Sequence, residues 1–135
     1  MVIDSSAIVA IFLNEPEWRF FQKQIHDAQV LLISPVSVVE TGMVLEARLG
    51  TTVVRDFERY IEGTGLDVVP VDHDLARRAL AAWRRYGKGR HPAKLNLGDC
   101  FSYALAKSSG EPLLAKGDDF ARTDLELCPQ TPPTN

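Results

Sequence analysis

The chain has 135 residues, of which 45% are apolar and 24% are charged, and its formal net charge is −3. These values are typical of one globular domain and give no bulk indication of nucleic-acid binding. Two cysteines, Cys100 and Cys128, exclude a disulfide framework and a CxxC zinc pair, so we expect a cytoplasmic protein. The longest apolar run, Ala7 to Leu13, is much shorter than the roughly 20 residues of a membrane span, so we expect no membrane association.

Strand-like and helical patterns alternate along the chain. Ser5 or Ser6 is the expected cap of the first helix, and the run Val30–Ile33 is typical of a strand buried on both faces. The predicted strands cover residues 2–3, 30–33, 66–71 and 113–115, and the predicted helices cover 7–13, 16–27, 36–49, 52–61, 73–86 and 97–108. Alternation predicts a single α/β domain with a short, mainly parallel sheet of four or five strands flanked by helices. We expect the domain to span residues 1–128, followed by a disordered, proline-rich tail at 129–135.

Five carboxylates occupy positions that suit a site. Asp4 directly follows the first strand, and Asp118 and Asp119 follow the last one. Because ligands bind at the carboxyl ends of parallel strands, these acids are expected at one sheet edge. Glu40 lies within an apolar helix face, and Asp99 lies in the first turn of its helix.

Clustered carboxylates repel one another and are stabilised by a divalent cation. Oxygen ligands are those that Mg²⁺ and Mn²⁺ prefer, and such an ion suits hydrolysis of a phosphodiester bond. Each acid also has a plainer explanation: Asp4 and Asp99 could favour helix N-termini, the last aspartates could form a turn, and Glu40 could pair with Arg48 or Arg77. Their order and placement together favour the metal site.

Several segments resemble the motifs of one family. The quoted segments are 2–10, 14–17, 35–40, 97–106 and 112–120. In this order they are similar to PIN-domain ribonucleases, and especially to VapC toxins of bacterial VapBC toxin–antitoxin pairs. The resemblance covers about residues 1–128, and segment 97–106 is its most specific part.

The resemblance implies a Mg²⁺-dependent endoribonuclease, with Mn²⁺ as an alternative ion. It implies Asp4 and Asp99 as direct metal ligands, with Glu40 completing the site. Ser6 is implied to hydrogen-bond a carboxylate or the substrate phosphate.

The closing motif departs from the family pattern. Many relatives carry a Thr before the acid and a longer spacing to the Phe, whereas this chain reads Lys116-Gly117-Asp118-Asp119-Phe120. Either Asp118 or Asp119 could therefore be the fourth acid, with a slight preference for Asp118.

A basic run suggests where RNA would bind. Between Arg77 and Lys94 there are seven basic residues and no acid. A positive patch beside an acidic metal site suits a phosphate backbone, although such a run is also typical of a solvated helix face. The candidate substrate-binding residues are Arg84, Arg85, Lys88 and Arg90.

The helices before Leu66 carry more apolar residues than one small domain easily buries. Resemblance to VapC toxins implies that they form a homodimer interface and a groove for a VapB-like antitoxin, although core packing must account for at least half of them. The residues are Trp18, Phe20, Phe21, Ile25, Val53, Val54, Phe57, Tyr60 and Ile61.

Two other functions remain open. A phosphohydrolase on a similar sheet is one, but a dehalogenase-like phosphatase would need an Asp at the position of Ser6. A non-catalytic PIN-fold binding module is the other, although it would be expected to lack some of the acids. The identity of the RNA and the number of metal ions are not indicated by the sequence.

Overall fold

The computed structural model describes residues 1–134. A short 3-10 helix, Phe120–Arg122, follows the last strand. The strands are β1 (Val2–Ile3), β2 (Leu32–Ile33), β3 (Asp67–Val68) and β4 (Leu113–Leu114), and the helices are α1 (Ser5–Phe12), α2 (Trp18–Asp27), α3 (Pro35–Leu49), α4 (Val53–Thr64), α5 (His73–Tyr86) and α6 (Leu97–Ser109).

The four strands form one parallel sheet in the order β3-β2-β1-β4, which confirms the predicted α/β architecture. Val2 pairs with Leu32 on one side and with Leu113 on the other. An isolated parallel bridge between Leu113 and Leu127 continues the pairing beyond β4. Since the chain leaves β1 towards β2 and later returns to its other side as β4, the carboxyl end of β1 is a topological switch point. Asp4 lies directly at this point.

Helices cover both faces of the sheet. Successive strand residues point to opposite faces of the sheet, so the side chains of Val2 and Ile3 lie on different faces. Both residues are 0% exposed because each face is covered. Val2 packs in a core with α5 and α6, and Ile3 packs in a second core with α1 to α4. No helix within residues 1–134 is both long and apolar enough to cross a membrane.

Some predicted boundaries were wrong. β2 and β3 are shorter than the predicted runs 30–33 and 66–71, since each strand finds a partner for only two residues. The cap of α1 is Asp4, whose carboxylate accepts a hydrogen bond from the amide of Ser6, and not Ser5 or Ser6. Helix α4 continues to Thr64 and ends at Gly65, which adopts a positive φ of 70°.

The first residues of the predicted tail contact the domain. The Gln24 side chain donates to the carbonyl of Pro129. Gln130 exchanges two hydrogen bonds with the main chain of Gly117, at 2.9 and 2.6 Å. Disorder beyond these residues stays a prediction, and Asn135 lies outside the described residues.

Candidate active site

Asp4 is the buried centre of the site, with 2% of its surface exposed. Its Oδ2 accepts hydrogen bonds from the Ser6 hydroxyl at 2.7 Å and from the Ser6 amide at 3.1 Å. Its Oδ1 accepts one from the Ser102 hydroxyl, also at 2.7 Å. These donors satisfy a carboxylate that burial would otherwise destabilise. The predicted contact between Ser6 and a carboxylate is therefore present.

A chain of hydroxyl groups connects Asp4 to its surroundings. The amide of Lys116 donates to the Ser6 oxygen at 2.9 Å and so ties the loop after β4 to α1. On the other side, Ser37 and Ser102 share a buried hydrogen bond of 3.2 Å. Ser37 and Ser102 were not predicted as site residues, although each lies three positions from an acid, Glu40 or Asp99, on the same helix face.

The carboxylate of Glu40 packs against the Cα of Gly98, in the space that a side chain at that position would fill. A Cβ atom at Gly98 would lie only 1.7 Å from Glu40 Oε1, so the absence of a side chain there makes room for the carboxylate. Burial, followed by the nearby charge of Asp4, raises the pKa of Glu40. No ion pair within the described residues involves Glu40, so the suggested pairing with Arg48 or Arg77 is wrong.

Asp99 both caps α6 and faces the other acids. Its amide donates to Asn96 Oδ1 at 2.9 Å, and its Oδ2 accepts from the Asn96 amide at 3.1 Å, which forms a capping box. Burial is the largest cause that raises the pKa of Asp99 to about 7, against the lowering effect of the Asn96 amide. The charges of Asp4, Glu40 and Asp119 raise it further. Capping and membership of an acidic site are therefore compatible roles for Asp99.

The structure distinguishes the two closing aspartates. Asp119 contributes to the raised pKa of Asp99, whereas Asp118 is not among the causes. Both side chains are exposed, and Asp119 begins the short 3-10 helix. The effect on the pKa of Asp99 therefore makes Asp119 the stronger candidate for the fourth acid, against the slight sequence-based preference for Asp118.

The donor set suits a hard divalent cation that keeps most of its water. Asp4, Glu40 and Asp99 form no ion pair with a basic side chain in the described part of the chain, so their mutual repulsion has no internal counter-charge. Within residues 1–134, no three His, Cys, Asp or Glu side chains form a ready metal cage. Mg²⁺ commonly binds through one or two carboxylates and water, so an open arrangement fits it.

Lys116 fastens the loop that carries the closing aspartates. Its ammonium forms ion pairs with Glu15 and, at 2.8 Å, with Glu17. Both glutamates belong to the turn between α1 and α2. The backbone and side chain of Lys116 therefore both hold the loop against α1, a role that the sequence analysis did not identify.

The predicted substrate-binding residues do not share one environment. Arg85 lies 3.5 Å from Asp124 and 4.8 Å over the ring of Tyr86. Arg90 lies 4.4 Å over the ring of Trp83, and Lys88 borders the same region. Arg84 is exposed. Lys88 thus shares a cleft with Asn96, Leu97 and Cys100 at the start of α6, and Arg90 contacts Trp83 in the wall of that cleft.

Core packing accounts for seven of the nine apolar residues named in the helices before Leu66, in agreement with the expected share of at least half. Phe21, Ile25, Val53 and Phe57 are buried, and none of the other five predicted interface residues is exposed. Exposed apolar side chains lie elsewhere, on α3, on α5 and at the start of α6. They include Val39, Met43, Leu80, Trp83 and Leu97.

Comparisons with known proteins agree with this geometry. Residues 1–126 match the PIN domain family. Ribonuclease VapC30 of Mycobacterium tuberculosis is 48% identical over 125 residues, which cover 93% of this chain and 95% of the relative. The chain therefore belongs to the PIN-domain family and, within it, to the VapC ribonucleases.

Solved structures share the fold at low sequence identity. VapC20 of Mycobacterium tuberculosis, described as a sarcin–ricin loop cleaving toxin, has a TM-score of 0.75 at 18% identity and covers 92% of this chain and 95% of its own. A toxin–antitoxin complex from Klebsiella pneumoniae has a TM-score of 0.65 at 19% identity, with 89% of each chain covered. These similarities support the PIN fold.

Proposed function

We propose that this chain is a metal-dependent endoribonuclease that acts as the toxin of a VapBC pair in the cytoplasm. The observation that carries the proposal is the position of Asp4 directly after β1, where its charge raises the pKa of both Glu40 and Asp99. Within residues 1–134 none of these three acids forms an ion pair with a basic side chain, and the charge of Asp119 raises the pKa of Asp99 further. The 48% identity to a named VapC ribonuclease supports the same reaction.

Asp4 and Asp99 would hold the cation, Mg²⁺ or alternatively Mn²⁺, with Glu40 and Asp119 completing the site. A bound divalent cation lowers the pKa of water and neutralises charge on a phosphate. Ser6 and Ser102 orient the Asp4 carboxylate through the hydrogen bonds described above. Because both donors are fixed, Asp4 needs little rearrangement when the ion binds.

The basic residues after Ala82 would bind the RNA backbone. Arg84, Lys88 and Arg90 are exposed and belong to a run without acids. Arg85 is also exposed, but its ion pair with Asp124 makes it the weakest of the four candidates. Exchange of a backbone-contacting Lys or Arg for Gln should weaken binding for all RNA sequences alike.

The decisive experiment compares the parent chain with Asp99→Asn, purified identically, on labelled RNA with Mg²⁺, Mn²⁺ or excess EDTA. We expect cleavage by the parent only, loss of cleavage in EDTA, and products with 5′-phosphate and 3′-hydroxyl ends. Equal cleavage by both proteins, or cleavage that ignores EDTA, would reject the proposed site. Asp118→Asn and Asp119→Asn form a matched pair, and only the second is expected to reduce cleavage strongly.

A homodimer and an antitoxin are further parts of the proposal. Val39 and Met43, spaced one helical turn apart on α3, are 60% and 68% exposed and are suitable contacts for a second copy. The Klebsiella complex supports an antitoxin partner. Light scattering should show a dimer for the parent and a monomer for Met43→Glu, whereas a monomeric parent would reject the dimer.

A further inference from the structure

A cleft of about 480 Å³ lies between α5, α6 and the loop that joins them. Its walls are mainly apolar, although several of these side chains are accessible to solvent: Leu80 is 46% exposed, Trp83 40% and Leu97 73%. Phe101 completes the apolar wall. Exposed aromatic and aliphatic surface of this kind suggests a ligand, because it is costly in water.

The cleft begins beside the acidic site. Asn96, the N-cap of α6, and Cys100, which follows Asp99 in that helix, both line it. Asn96 also exchanges two hydrogen bonds with Asp99. A group bound in the cleft would therefore lie at the same end of α6 as Asp99.

Trp83 is held in place at the cleft wall. A Cβ at Gly87 would lie 2.4 Å from Trp83 Cδ1, so the indole packs directly against that glycine. The Arg90 guanidinium lies 4.4 Å from the ring centroid, within the range of a cation–π interaction. These contacts fix an aromatic surface next to positive charge.

We propose that the cleft binds one unpaired base of the RNA next to the scissile phosphate, with the base stacked on Trp83. This inference rests on the proposed ribonuclease function. A nucleobase combines flat apolar faces with a polar edge, and single-stranded RNA is commonly bound through aromatic stacking beside basic groups. Lys88 and Arg90 supply that charge for the flanking phosphates.

Charge argues for RNA and against a second copy of the chain. A symmetric contact places the same patch on both sides of the interface. Two copies that met through this cleft would bring Lys88 and Arg90 close to the same two residues of the other copy. A phosphate chain neutralises the same charges.

The test uses a short single-stranded RNA with a mapped cut site, and copies of it that lack one base at each flanking position. Trp83→Leu should raise KM by about 5- to 150-fold, which corresponds to the loss of one stacked base at ~1–3 kcal/mol, and should change kcat little. Trp83→Phe should restore most of the affinity. One abasic substitution should weaken the parent equally but have little further effect on Trp83→Leu. Trp18→Phe, which lies outside the cleft, is the matched control.

A binding assay in EDTA separates this inference from the proposed function. In the Trp18→Phe background Trp83 is the remaining tryptophan, and stacking of a base should quench its fluorescence. Quenching in EDTA, together with no cleavage of the same RNA by the parent in Mg²⁺ or Mn²⁺, would support the cleft and reject the ribonuclease. Cleavage by the parent without quenching, with an unchanged KM for Trp83→Leu, would overturn the base site. A Trp83→Leu variant that alters only the oligomeric state would overturn it in favour of a second copy.

Discussion

Gly98 lies beneath the carboxylate of Glu40, and Gly98→Ala is therefore a selective perturbation of the acidic site. The new Cβ would lie 1.7 Å from Glu40 Oε1 and 2.3 Å from its Cδ, whereas real Cβ contacts lie beyond 3.0 Å. The carboxylate must consequently move by more than an ångström. A displacement of that size at a reacting centre costs roughly 10²-fold in rate. We expect this loss in initial rates of RNA cleavage at saturating Mg²⁺.

The same substitution should leave the fold intact. The clashing atoms are the end of a flexible side chain, and alanine is favoured over glycine within a helix by roughly 1 kcal/mol. Gly42→Ala on α3 is the matched control, because a Cβ there meets nothing within 4 Å. The reasoning is refuted if Gly98→Ala cleaves RNA at the parental rate, or if it unfolds at much lower urea concentration than the control.

Three further outcomes are expected from the site contacts. Ser102→Ala should lower the unfolding free energy in EDTA by ~1–3 kcal/mol, because Asp4 Oδ1 loses its hydrogen-bond donor. A urea unfolding midpoint equal to that of the parent would contradict this. The pKa of Asp99 is raised from 3.8 to about 7, so its contribution to metal-free stability is greatest below pH 3.8 and is lost as pH rises towards 7. Between pH 3.8 and about pH 7 in EDTA, the melting temperature should therefore fall less for Asp99→Asn than for the parent. Equal slopes of melting temperature against pH for the two proteins would argue against a raised pKa of Asp99. Lys116→Met should lower the unfolding free energy by about 1 kcal/mol or less, because it removes the ion pairs with Glu15 and Glu17, whereas Lys116→Arg should preserve it. Equal urea midpoints for the two variants would show that the ion pairs do not stabilise the loop.

Parallel topology explains why much of the site could be predicted from the sequence. Asp4 and the closing aspartates each follow a strand, and parallel strands bring such residues to one edge. Asp99 was identified at the start of α6 because Asn96 and Gly110 mark the ends of that helix. These signals are local, so they are visible in the residue order.

Contacts between distant residues were not predictable in this way. The hydrogen bond from Ser102 to Asp4 joins residues 98 positions apart, and serine has no preference for such a role. The ion pair between Lys116 and Glu15 is equally remote. The sequence could not show which of Phe57 and its apolar neighbours belong to the core, because periodicity shows that a face is apolar but not which element covers it.

The central position of β1 also affects how the enzyme is made. Its neighbour β4 lies more than a hundred residues later in the chain, and Asp119 is later still. A ribosome that has released only the first hundred residues has therefore produced Asp4, Glu40 and Asp99 without β4, Ser102 or Asp119. Such distant pairings form late because a long loop must close first. A nascent chain should consequently not cleave nearby RNA until β4 and Asp119 have emerged and β4 has paired with β1.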